Sequence, residues 1–172
     1  GRYSTCIVSF GFDAIVNKQA LKLKQKYWFL SATGLYGYAL LWELFSSKLE
    51  YPGVEIKTGK FSYRGKALLI AAANIPQYGR FFKIAPGADP TDGFLDLVIA
   101  RPTGRLRILK SLFRVIRGTH VTLPEVTIIR TSSPITISSL HPLSCQMDGE
   151  VPVPKQEYKI SVRPRALKVL VP

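Results

Sequence analysis

The second half of the chain constrains its fold most. Five short segments, Val121–Arg130, Pro134–Ser138, Leu143–Met147, Tyr158–Val162 and Leu167–Val171, are rich in β-branched residues and separated by Pro, Ser or Gly. Short strands at such regular spacing predict antiparallel sheets, stacked as a sandwich or closed into a partial barrel. The run Ala67–Ala73, ALLIAAA, adds a continuous apolar stretch of strand length. It is expected as a central strand buried on both faces.

The stretch Lys83–Ala100 carries the next piece of structure. Asp89-Pro90-Thr91-Asp92-Gly93 has the chemistry of a turn, and Leu95, Leu97 and Ile99 then alternate with Asp96, Val98 and Ala100 as a period-two strand. Upstream, Tyr3–Phe10 reads as a strand. Val54–Lys57 and Phe61–Tyr63 alternate, and Arg64-Gly65-Lys66 reads as the hairpin turn.

Helices interrupt this pattern at three places. Asp13 is a plausible N-cap for a helix through Asn17 to about Tyr27. A second helix spans Ser31–Phe45, with an apolar stripe over Leu35, Tyr36, Ala39, Leu40 and Leu44 that suits either the core or a lipid chain. The third spans Arg105–Arg117. Its Arg107, Lys110, Arg114 and Arg117 line up opposite Leu106, Leu109, Phe113 and Ile116, either as a solvated basic face or as a surface laid on anionic lipid. The fold class is therefore α+β and mainly β, a two-layer antiparallel sandwich. At 172 residues it forms one domain over 1–172.

Charge narrows the partners. Twenty-four Lys and Arg against eleven Asp and Glu give +13, a bias toward nucleic acid, phosphorylated small molecules or acidic membranes. Cys6 and Cys145 make neither a disulfide framework nor a metal cluster, which favours a reducing compartment. No stretch is long and apolar enough to span a bilayer. Two acidic features stand out against the basic background. Asp89, Asp92 and Asp96 fall within eight residues, and carboxylates with turn carbonyls suit a hard cation such as Mg2+. Asp148-Gly149-Glu150 is either a plain hairpin turn or a turn that aims a carboxylate at a hydroxyl.

Four pieces occur in one order: SFGFDA (Ser9–Ala14), the Lys83–Ile99 stretch, RGTH (Arg117–His120), and MDGE (Met147–Glu150) followed by the terminal ALKVLVP. That order resembles the second domain of the diacylglycerol kinase-like lipid kinases, a family that includes bacterial diacylglycerol kinase, related bacterial lipid kinases and sphingosine kinases. The resemblance covers nearly the whole chain. It implies the β-sandwich shared with NAD kinase-like proteins and an ATP-dependent, Mg2+-dependent phosphoryl transfer to a lipid hydroxyl. It also implies a preceding ATP-binding domain with a Gly-Gly-Asp-Gly-Thr loop, which this sequence lacks, so the chain alone is expected to be inactive. Carried over, Glu150 is the base, with Asp148 supporting it. Gly11, Phe12 and Asp13 lie near the lipid pocket. A structural Mg2+ is held by the Asp92 side chain and the Phe94 carbonyl.

One place departs from the family's pattern, Gly79-Arg80-Phe81, where many members have three glycines. The expected partners are a lipid substrate and an anionic membrane surface rather than nucleic acid, with a homodimer left open, and the expected location is cytoplasmic and peripheral to the membrane. The alternatives are a non-catalytic lipid- or membrane-binding module and an NAD kinase-like domain.

Overall fold

The computed structural model describes residues 1–77, 79 and 81–167. The chain enters through β1 (Ile7–Gly11) and runs straight into helices α1 (Phe12–Lys26) and α2 (Ala32–Ser46). Strands β2 (Tyr51–Thr58), β3 (Phe61–Ala67), β4 (Leu69–Ala73) and β5 (Leu95–Ala100) follow. Then come α3 (Arg105–Arg117), a 3-10 turn at His120–Thr122, and strands β6 (Val126–Thr131), β7 (Ile135–Leu143), β8 (Cys145–Met147) and β9 (Lys155–Ile160).

These strands form two antiparallel sheets. The first has the order β6-β5-β4-β1-β8 and the second β3-β2-β7-β9. Alternation along each strand sorts the side chains between two cores. Val8, Phe10, Ile70, Ala72, Leu97 and Ile99 face the second sheet and meet Val54, Ile56, Ile135 and Ile137 there. The other face of the five-stranded sheet is covered by helices: Phe12, Val16, Leu40, Leu44, Leu68 and Ile108 pack in one cluster. Residues Ile84 and Ala85 close the same face beside Ile7, Ala71 and Val98. The expected two-layer sandwich is present, with α1, α2 and α3 as a third layer on one side.

The chain changes sheets at two single residues. Ala67 ends β3 in one sheet and Leu69 begins β4 in the other, so the run ALLIAAA is split at Leu68 rather than forming one strand. Only Leu69–Ala73 takes the central, doubly covered position. Ser144 makes the second change, between Leu143 of β7 and Cys145 of β8. Both crossing points are tied to the junction of β1 and α1. Gly11 donates its amide to the Ser144 carbonyl at 3.2 Å, and Phe12 donates to the Leu68 carbonyl at 2.9 Å.

Local signals explain most boundaries, and four expectations change. Gly11, not Asp13, precedes α1, so the helix starts at Phe12 and Asp13 sits in its first turn. The hairpin between β2 and β3 turns at Gly59-Lys60, with Thr58 opposite Phe61, and Arg64-Gly65-Lys66 lies inside β3. The reason is that Phe61, Tyr63 and Gly65 continue the alternation that pairs with β2. His120–Thr122 forms a 3-10 turn, and β6 starts only at Val126. Strand β1 covers Ile7–Gly11 rather than Tyr3–Phe10, and Gly104 precedes α3. Ser31 does cap α2, its hydroxyl accepting from the Gly34 amide at 3.1 Å. Arg80, and the strand expected at Leu167–Val171 from residue 168 onward, lie outside the described residues.

Candidate functional site

The Asp148-Gly149 turn is a two-residue hairpin. Met147 and Glu150 exchange both backbone hydrogen bonds, at 2.8 and 2.9 Å, and both turn residues have positive φ, 49° and 92°. That is the primed turn that matches strand twist, and Asn, Asp and Gly tolerate its backbone best. The turn stands at the end of β8, the edge strand beside β1.

Asp148 points back toward the start of the chain. Its carboxylate accepts from the Ser4 hydroxyl at 2.7 Å, the Thr5 amide at 2.7 Å, the Ile7 amide at 3.0 Å, the Cys6 amide at 3.1 Å and the Thr5 hydroxyl at 3.2 Å. Burial pushes its carboxyl pKa up, and these hydrogen bonds to the charged form outweigh that and hold it below the ordinary range. Asp148 thus anchors the segment that leads into β1. Glu150, beside it, is 81% exposed at its side chain, with the Arg2 guanidinium 3.8 Å away. A carboxylate on a pinned turn, open to solvent, can reach a hydroxyl brought over it.

A buried polar network fixes this turn from below. Asp13 is 5% exposed, and its carboxylate accepts from the Tyr36 hydroxyl at 2.8 Å, from the Ser9 hydroxyl, and from the Gln146 side-chain amide at 3.1 Å. Gln146 also donates to the Ser9 hydroxyl at 2.9 Å, and its carbonyl accepts from the Gly149 amide at 2.9 Å. Asn17 completes the set, donating its side-chain amide to the Gly149 carbonyl at 2.7 Å. Burial, with the Asp13 charge and hydrogen bond, pushes the Tyr36 phenol well above its ordinary value, so it stays a neutral donor to Asp13.

One residue before Asp13, Phe12 faces a cavity of about 110 Å3. The cavity lies between the five-stranded sheet and α3. Leu68, Val98, Ile108, Leu112 and Val115 line it, so its walls are almost wholly apolar. The one buried polar side chain on its wall is His120, 2% exposed. His120 Nε2 lies 3.0 Å from the Ile84 carbonyl, which can only accept, so that nitrogen carries the hydrogen. Nδ1 is then an acceptor, and among the described residues it has no hydrogen-bond partner. Burial pushes the His120 pKa down and keeps the ring neutral. The first turn of α1 therefore joins two features, with Phe12 on the apolar cavity and Asp13 under the acidic turn.

Gly11 serves the same junction through its backbone. Its φ is +92°, and a Cβ there would stand 2.4 Å from the Leu68 carbonyl oxygen. Of Gly11, Phe12 and Asp13, Phe12 alone lines the cavity.

Asp92 lies apart, at the turn before β5. One of its oxygens accepts from the Phe94 amide at 2.7 Å, and the other pairs with the Arg130 guanidinium, which also lies 5.1 Å from the Phe94 ring centroid. Asp89 closes its own turn onto the amide and hydroxyl of Thr91 at 2.8 and 2.7 Å. Asp96 faces away from the second sheet, and burial raises its pKa, partly offset by Arg130. Among the described residues no three His, Cys, Asp or Glu side chains gather in a metal-sized group. As arranged, one Asp92 oxygen is paired with Arg130.

Sequence reasoning singled out Glu150, Asp148, Phe12 and Asp13 as candidates but not their partners Asn17, Tyr36 and Gln146, nor His120. His120 stood in the RGTH segment, where Gly118 with φ +75° ends α3 and lets the chain fold back under it. Nothing in the spacing of Asn17, Tyr36 and Gln146 marked them as partners, because their contacts span up to 137 positions.

Residues 6–171 match the family described as the YegS C-terminal NAD kinase beta sandwich-like domain. The chain is 29% identical over 167 residues to a diacylglycerol kinase of Mycobacterium tuberculosis, covering 96% of this chain and 51% of that protein. It is 36% identical over 121 residues to the protein of Cronobacter sakazakii named Probable lipid kinase YegS-like, covering 69% of this chain and 38% of that protein. Its fold is like that of a proposed diacylglycerol kinase from Bacillus anthracis, with a TM-score of 0.67 at 17% identity over 94% of this chain and 50% of that one. The chain spans about half the length of the Mycobacterium tuberculosis relative it matches.

Proposed function

The chain belongs to the YegS C-terminal domain family, and from that premise we propose that it is the lipid-side half of an ATP-dependent lipid kinase. In this reading the apolar cavity under α3 receives part of the lipid, and Glu150 takes the proton from the lipid hydroxyl as it attacks the phosphoryl donor. The observation that carries it is the first turn of α1, where Phe12 lines the cavity and Asp13 supports the Asp148-Gly149-Glu150 turn through Gln146. Phe12 and Asp13 are adjacent in the chain, so the cavity wall and the support of the acidic turn share the first turn of α1.

ATP with Mg2+ would supply the phosphoryl group and neutralise charge developing on it. This chain's own residues hold the turn, exclude water from the lipid chain and take up one proton at the Glu150 carboxylate. No step is assigned to a cation at Asp92, which is occupied by Arg130.

The test is label transfer from ATP by a full-length protein carrying this chain, offered diacylglycerol vesicles and NAD side by side. Label in the lipid extract supports the reading. Label in the dinucleotide alone would assign the chain to an NAD kinase-like enzyme instead.

A further inference from the structure

Helix α2 is apolar on two sides. Leu35, Ala39, Leu40 and Leu44 are buried. Tyr38, Leu41, Trp42 and Phe45, at helical spacings of three and four, are 47% to 57% exposed, and Tyr38 stacks on Trp42 with ring centroids 6.3 Å apart. They line a groove on the outer side of the helix. The connection from α1 continues the exposure: Trp28 is 80% and Phe29 68% exposed. Contiguous apolar surface of this kind on a folded domain marks a contact site.

The surrounding charge is of one sign. Between Asp13 and Glu43 the sequence has no acidic residue, while α1 carries Lys18, Lys22, Lys24 and Lys26. Trp and Tyr favour the membrane–water interface, where a polar edge stays wet and the ring is buried. Lysines beside them gain from anionic headgroups. We propose that the outer face of α2, with Trp28 and Phe29, seats this chain in the interface of an anionic lipid bilayer. A second copy is a poor occupant, because a two-fold contact across this face would bring the same lysines together. The basic stripe of α3 fits less well. Arg107 is held by Glu125 through two 2.9 Å bonds, and Arg114 donates to the Thr122 hydroxyl at 3.4 Å. The inference assigns a surface, not a reaction, and its test requires no turnover.

The chain has two tryptophans, and both are exposed, Trp42 on the outer side of α2 and Trp28 in the connection that leads into it. Vesicles of equal parts phosphatidylcholine and phosphatidylglycerol should shift tryptophan emission to the blue, and bromines on the acyl chains should quench it. Pure phosphatidylcholine should do much less. Trp28→Ser with Phe29→Ser should abolish co-sedimentation, and Lys22→Glu with Lys24→Glu and Lys26→Glu should weaken it by about tenfold or more. Far-UV circular dichroism should stay unchanged in both. Failure to sediment with the mixed vesicles would overturn the proposal. So would sedimentation that leaves tryptophan emission unaltered, since another face would then be docking. A blue shift without vesicles that grows with protein concentration would show that a second copy covers the face.

Discussion

Asp13 accepts a 3.1 Å hydrogen bond from the side-chain amide of Gln146, and this contact joins the first turn of α1 to the strand that ends in the acidic turn. Both residues are buried, and neither can find water if the other is removed. Gln146→Leu leaves the Gly149 amide without its acceptor and Asp13 without one donor. The expected loss is about 2–4 kcal/mol in urea unfolding, the cost of leaving buried polar groups unmatched. Asn17→Ala removes a bond nearer the surface, so stability should fall by about 1 kcal/mol or less. Its larger effect should be on turnover of the full-length protein, because the Gly149 carbonyl loses its anchor.

Gly11 should tolerate no side chain. Alanine there would put a methyl group 2.4 Å from the Leu68 carbonyl oxygen in a backbone conformation that already disfavours it. The crossing at Leu68 and the start of α1 would have to separate. Gly11→Ala is expected to cost about 3 kcal/mol or more, read as a lower urea midpoint. A midpoint within error of the wild type would show that this junction is not close-packed.

Much of this was legible because it is periodic or local. The alternation of Leu95, Leu97 and Ile99 and the Asp148-Gly149 turn each declare themselves within a few residues. The two sheet changes did not. Leu68 lies inside an uninterrupted apolar run, and nothing about its chemistry says that Ala67 and Leu69 belong to different sheets. The same holds for the site. Glu150 and Phe12 are named as candidates through an ordered set of segments resembling a family, whereas Gln146 and Asn17 come beside them through contacts made only after folding. Arg130 likewise reaches Asp92 from β6, 38 residues on, a contact that the chemistry of the turn does not announce.

His120 should make stability depend on pH. Its folded pKa is depressed by burial, so the unfolded chain binds the proton first. The neutral ring's contribution is whole above the ordinary value of about 6.5 and is lost as pH falls from there through the lower folded pKa. Wild-type stability is therefore expected to decline below about pH 6.5, with His120→Leu flattening that part of the curve. An unchanged slope in the variant would mean that the loss arises elsewhere.

Mg2+ should not stabilise the wild-type chain at Asp92. A ligand that binds only the folded state raises Tm, and the Arg130 salt bridge already occupies that carboxylate. Millimolar Mg2+ is expected to leave the wild-type Tm unchanged, and to raise it in Arg130→Gln if the turn carbonyls complete a site. A wild-type rise that Asp92→Asn abolishes would show that the cation displaces Arg130 unaided.

The most direct measurement is the initial rate of phosphoryl transfer from ATP to diacylglycerol by a full-length protein carrying this chain, with Glu150 and with Gln in its place. Glu150 is exposed at the tip of a turn whose geometry rests on Asp148, Gln146 and Asn17, so Glu150→Gln should fold normally. The account predicts a fall in kcat of about 100-fold or more, with Tm and vesicle binding unchanged. Turnover in Glu150→Gln near that of the wild type would contradict it.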